Sequence, residues 1–314
     1  MHTLPRHFNA GVCLLILFVL ALGCGKRSNP RTASSGKSSG PVRATHHSDP
    51  QLAVDHSLKA EDYIRLGLPA PDRVWSGADM IQANTALASF TQEKAAQLPR
   101  YKSPRSGEVF ARLTSIESLP SFRDPDVPVQ TRVRQARDYF YGFKEILEKY
   151  SIAFLDQRVR DAELVELWGA LLRIFIVQLE IVDEPATLDK QDPKYAVQLQ
   201  AQELVRLGLG EFVNALLTSF TERDQYSDAA LGRLLGHMQE TLPVIAPRLL
   251  PPGRTEAVSR LQQLLEDPEL KDLHPGLREL LGSVEDALEK PKLHGPAAAP
   301  NTTSMLWHWC FGPS

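Results

Sequence analysis

Val129, Val133, Ala136, Phe140, Phe143, Leu147, Tyr150 and Phe154 recur at alternating spacings of four and three residues. At 3.6 residues per turn this places all eight on one seam of a single helix, about 39 Å long at 1.5 Å per residue. An apolar seam of that length needs neighbouring helices crossing at a shallow angle, which commits the chain to a bundle. The opposite face carries Arg132, Arg134, Arg137, Lys144, Glu145 and Glu148 and is predicted to face solvent. An anion site is one reading of the three arginines. Asp124, Asp126 and Asp138 stand close enough in sequence to compensate them, so a solvated face is the simpler one. Tyr139 and Tyr141 flank the seam and read as packing residues.

Residues 163–182 are apolar nearly all round, interrupted mainly by Glu166, Arg173 and Glu180 at intervals of seven. A helix with so narrow a polar strip belongs in the middle of a bundle. The strip either forms a buried ion network or reaches solvent along a groove. Other helices announce their starts. Ser76 with Asp79 has the form of a capping box, flanked by Trp75 and Met80 as a staple, which predicts a helix over 77–98 with Met80, Leu87 and Phe90 inward. A short helix follows near 108–117. Asp192 with Pro193 opens a run to about Glu222, with possible bends at Gly208 and Gly210. Ser227 opens a helix ending around Leu242 and Pro243, with Tyr226 and Leu231 as its staple. Thr255 is the expected cap of a helix to about 266, Asp267 with Pro268 starts a turn, and Pro275 begins a last helix with Leu277, Leu280, Leu281, Val284 and Leu288 inward. No repeat at a fixed period is present.

The expected architecture is therefore all-α: a multi-helix, bundle-like domain behind a disordered N-terminal tether. A proline-rich connection, Pro120 to Pro128, separates an N-terminal helical subdomain (51–120) from a main bundle (127–290). Of 35 basic side chains only Arg6 precedes Cys24, and 38 acidic ones oppose the remainder. That balance gives no electrostatic case for nucleic acid.

The N-terminus has a different character. An apolar segment from Leu14 follows a short front end carrying Arg6 and closes on Ala21, Leu22 and Gly23 immediately before Cys24. This resembles the signal of a bacterial lipoprotein precursor. The resemblance implies that residues 1–23 are a cleaved signal peptide and that Cys24 becomes the first residue, diacylated on sulfur and acylated again on its new amino group. Val12 to Gly23 is too short for a spanning helix, which needs roughly 20 residues. One acyl chain anchors marginally and two or three anchor stably, at about 0.8 kcal/mol per buried methylene. The resemblance thus implies a mature protein on the bacterial cell envelope, at the outer membrane of a Gram-negative organism, whose membrane partner is reached through the lipid. Residues 24–50 are rich in Ser, Gly, Pro, Arg and Lys and read as a disordered tether with a root-mean-square reach of roughly 28 Å. Cys13 leaves with the leader and Cys24 is modified, so Cys310 is the one remaining thiol and no internal disulfide is expected.

Motifs for catalysis are absent from the sequence: no phosphate loop, dinucleotide glycine triplet, nucleophile elbow or paired zinc histidines. His237 with Glu240 lies one turn apart on a predicted helix. The pair resembles the Gly-x-His-x-x-Glu motif of imelysin-like helical lipoproteins, which are linked to metal uptake, although Leu235 stands where that glycine should be. These two residues are the metal candidates, set against the plainer reading of a polar pair on a helix surface. No cofactor is expected beyond the covalent lipid on Cys24. Residues 291–304 read as a flexible arm, after which Met305 to Phe311 are suddenly apolar. Trp307, Trp309 and Phe311 are the candidate binding residues, because burying such rings returns several kcal/mol and tryptophan is favoured at interface hot spots. That segment is expected to dock on its own domain or on a protein partner. The function expected is a lipid-anchored, extracytoplasmic binding or assembly module. The alternative is an enzyme or metal-associated lipoprotein whose site is assembled from several helices.

Overall fold

The computed structural model describes residues 55–289, except 91, 118, 158–159, 185–189, 194 and 223–224. The leader, Cys24, the tether and the C-terminal segment with Trp307, Trp309 and Phe311 lie outside the described residues. Those described form an all-α fold without strands. The helices are α1 (Ala60–Arg65), α2 (Gly77–Ala88), α3 (Gly107–Thr114), α4 (Val129–Gln157), α5 (Asp161–Asp183), α6 (Tyr195–Ser219), α7 (Asp228–Ile245), α8 (Pro251–Glu266) and α9 (His274–Glu289). Principal packing contacts run in one series: α2 on α4, α4 on α5, α5 on α7, α7 on α9, α9 on α8 and α8 on α6. Helix α6 therefore closes the series at its edge. It returns to α5 through Phe212, whose ring centre is 5.8 Å from that of Phe175, and through Gln202 and Arg206, which donate to the Val182 carbonyl and the Asp183 carboxylate.

The seam of α4 is as its spacing requires. Phe143, Tyr150 and Phe154 are buried, with Ala136 and Leu147 beside them, while Val129, Val133 and Phe140 pack partly covered at one end. The buried Tyr139 donates from its hydroxyl to the carbonyl of Ser115 at 2.9 Å, and Tyr150 to that of Pro99 at 2.7 Å. Residues from Tyr63 to Phe122 join the same hydrophobic cluster as those of α4 to α9, so the connection around Pro120 to Pro128 crosses a continuous core. The cap of α2 is also as expected: Ser76 Oγ accepts from the amide of Asp79, whose carboxylate accepts from the amide of Ser76. Arg73 adds a hydrogen bond that holds the Asp79 carboxyl down at about 2.

Four expectations are corrected. First, α2 stops at Ala88, where Ser89 Oγ donates back to the Ala86 carbonyl at 2.8 Å. The chain resumes as a 3-10 turn over Gln92–Gln97, with Phe90 turned inward to stack on Tyr63. Second, Arg132 is 6 % exposed. It leaves the solvated face of α4 to grip Glu184 with two hydrogen bonds, one of 2.7 Å. Third, α8 starts at Pro251, where paired prolines suit a first turn that needs no amide donors; Thr255 lies inside it and bonds back to the Pro251 carbonyl at 3.2 Å. Fourth, α7 carries Pro243 in its interior and continues to Ile245, because Leu242 and Ile245 share its buried face. Helix α6 runs unbroken through Gly208 and Gly210. The second glycine serves a close crossing: a Cβ there would stand 3.6 Å from the Cα of Gly253 on α8.

Candidate functional site

Helix α5 is the hub, and its polar strip is used along its whole length. At its start Glu163, almost fully buried, accepts from Arg100 Nε at 2.7 Å and from the Tyr101 amide at 2.9 Å. Arg160, just ahead of the helix and 0 % exposed, reaches the carbonyls of Ala95 at 2.6 Å and Leu98 at 3.3 Å. The Arg160 contacts satisfy backbone carbonyls at the end of the 3-10 turn and just beyond it, which would otherwise be buried without a donor. Further along, Glu180 meets Arg123 at 2.6 Å, and beyond the helix end Glu184 meets Arg132.

Between those ends the strip faces α7. Arg173 binds both carboxylate oxygens of Glu240, through Nε at 3.1 Å and through Nη2, and the same Nη2 lies 3.3 Å from His237 Nδ1. A guanidinium can only donate, so Nδ1 is the acceptor and the ring proton is assigned to Nε2. Nε2 faces Glu166 Oε2 at 3.2 Å, an ion-pair distance outside good hydrogen-bond geometry, with Arg233 at 3.4 Å from the other oxygen. Burial pushes the Glu166 carboxyl up, but His237 and Arg233 outweigh it and the net displacement is downward. The hydrogen bond from Arg173 likewise holds Glu240 below the usual carboxylate range against its partial burial. Arg233 also lies over the Tyr101 ring, 5.3 Å from its centre.

The sequence-predicted metal pair thus comes together with two of the three strip residues, Glu166 and Arg173. The strip is neither wholly buried nor simply solvated: its members pair across a half-covered groove. One guanidinium therefore engages both members of the candidate metal pair, Nδ1 of His237 and the carboxylate of Glu240. Among the described residues no group of three His, Cys, Asp or Glu side chains converges as a metal site would require. Nor is any described helix long and apolar enough to cross a membrane. No known protein family, curated protein or solved structure matches the chain.

Sequence reasoning missed Gly169. A Cβ on this residue would stand 2.5 Å from the His237 ring, so the imidazole lies flat on bare helix backbone. The signal was present, since a glycine inside an otherwise apolar helix costs about 1 kcal/mol and calls for a packing reason. Gly169→Ala is expected to lose about 1 to 3 kcal/mol by overpacking. Gly232→Ala on α7, where nothing lies within 4 Å of the added methyl, is expected to gain up to about 1 kcal/mol from helix propensity. Urea unfolding of the two variants should show opposite signs, and His237→Ala should restore much of what Gly169→Ala loses.

A second surface stands out at the edge of the packing series. Helix α6 buries Leu209, Val213, Leu216 and Leu217 on one side. Its opposite side, at helical spacing, is Val197, Ala201, Leu204, Gly208 and Ala215, flanked by Leu207. Leu204 and Leu207 are 44 % and 48 % exposed. A helix apolar on both sides is normally enclosed on both, and among the described residues the principal partners of α6, α8 and α5, leave Leu204 and Leu207 uncovered. Burial and the neighbouring Glu256 raise the carboxyl of Glu211 above its ordinary value, the one charge at the end of this stripe.

Proposed function

We propose that the chain is a lipid-anchored, extracytoplasmic protein of the bacterial cell envelope, held at the outer membrane through Cys24, whose helical domain is a binding or assembly module. The anchor rests on the lipoprotein-like signal. The binding role rests on the outward stripe of α6, whose Leu204 and Leu207 stand exposed among the described residues. Exposed apolar faces of this kind mark interaction sites in folded proteins. The acylated N-terminus and tether place the module within reach of other envelope proteins, and binding through the stripe would assemble it with them.

The test compares the native protein with Leu204→Lys/Leu207→Lys, both recovered from membranes in mild detergent. The particle is expected to be larger than a protomer and to fall to protomer size in the double variant. The melting temperature should move little, because substitutions at such exposed positions are usually within about 0.5 kcal/mol each. A particle of unchanged size in the variant would remove α6 as the binding face.

A further inference from the structure

We propose that in the isolated protomer the outward stripe of α6 is the seat of the chain's own segment Met305 to Phe311, a cover that a partner must displace. This deepens the preceding reading and rests on it for the identity of the face. Three observations support the occupant. The start of α9, at Gly276, lies against Leu235 and Gln239 of α7, and α9 also meets the turn Ala246–Arg248 just ahead of α8, so α9 runs toward the start of α8 and ends there at Glu289. The start of α8 is where Gly253 meets Gly210 in the middle of α6. The chain therefore leaves the described domain level with the middle of α6 and one helix away from it.

Reach and chemistry agree with that placement. Helix α9 is separated from α6 by α8 alone in the packing series, or two interaxial steps, about 16 to 20 Å. Residues 290–304 span a root-mean-square distance of roughly 21 Å as a flexible chain. The stripe is uncharged from Val197 to Gly208, and the segment Met305-Leu-Trp-His-Trp-Cys-Phe311 contains no acidic residue, lysine or arginine. Leucine and small residues on the helix give two tryptophans and a phenylalanine a surface that they can approach closely. A fully charged helix face would give these rings nothing to displace water from.

Cys310 provides the readout, since in the mature acylated chain it is the remaining thiol. Leu204→Cys adds a second thiol on the stripe, and Gln262→Cys adds one on the exposed polar side of α8, within the same reach. The protomer fraction of each full-length mature variant is oxidised briefly at low concentration, and the intrachain disulfide is followed on a non-reducing gel. The Leu204→Cys form is expected to close at least about tenfold faster than the Gln262→Cys form. Adding Trp307→Ala, Trp309→Ala and Phe311→Ala should bring the two rates together. Equal rates without those changes would overturn the proposal, as would bonds that join two chains, which would make a second copy the occupant. If closure fails while Leu204→Lys/Leu207→Lys still shrinks the membrane-derived particle, the stripe stays the binding face and only its cover is misassigned. If both fail, the reading of the face falls with it.

Discussion

Alanine at Phe143 is expected to lower unfolding stability by about 3 to 5 kcal/mol, the cost of deleting a buried aromatic ring and leaving a cavity. The ring is completely buried on the seam of α4 within the continuous cluster, and the helices around it cannot collapse into the space without breaking other contacts. Arg134 sits exposed on the other side of the same helix, and Arg134→Ala is expected to cost under about 0.5 kcal/mol. Chemical denaturation of the two variants gives the comparison directly. Equal losses would mean that the seam does not carry the core.

Glu163→Ala is expected to be about as costly, roughly 3 to 5 kcal/mol, for an electrostatic reason. Its carboxylate is the buried partner of Arg100 and acts electrostatically on the fully buried Arg160, so removing it strands positive charge away from water. It also takes the acceptor from the Tyr101 amide. Glu163→Gln, which keeps an acceptor of similar shape, should lose less than Glu163→Ala. Equal losses from the two would show that the charge alone, and neither the shape nor the acceptor, sets the cost. The measurable companion is increased proteolysis of the 92–101 segment in Glu163→Ala, because Arg100 and Tyr101 are what the carboxylate holds in place.

How far these features were legible depended on their range in sequence. The seam of α4 was plain because every member lies within one helix and obeys one period. The caps at Ser76 and Ser227 were plain because a cap is a contact over three residues, as Ser227 Oγ accepting from the Ala230 amide at 3.2 Å shows. Arg132 was misplaced because its partner, Glu184, is 52 residues away, and nothing local distinguishes it from Arg134. The break after Ala88 was hidden for the same reason: a helical composition continues there, while the carbonyls at 95 and 98 are claimed by an arginine from another element. His237 and Glu240 were found as a pair, and Glu166 with Arg173 as a strip. Only the packing of α5 on α7 shows that the two belong to one network. The outward stripe of α6 went unread in the sequence, because which side of a helix other described helices leave exposed is a property of tertiary order that no periodicity carries.

The central claim is that this helical domain is carried on lipid at Cys24, and intact mass spectrometry of the protein extracted from membranes tests it most directly. The expected mass is that of a chain beginning at Cys24 plus its acyl groups, with Cys24→Ala found as an unprocessed, unacylated precursor. An unacylated chain cut at another position, or a Cys24→Ala variant that is processed and retained on the membrane like the native protein, would contradict the account.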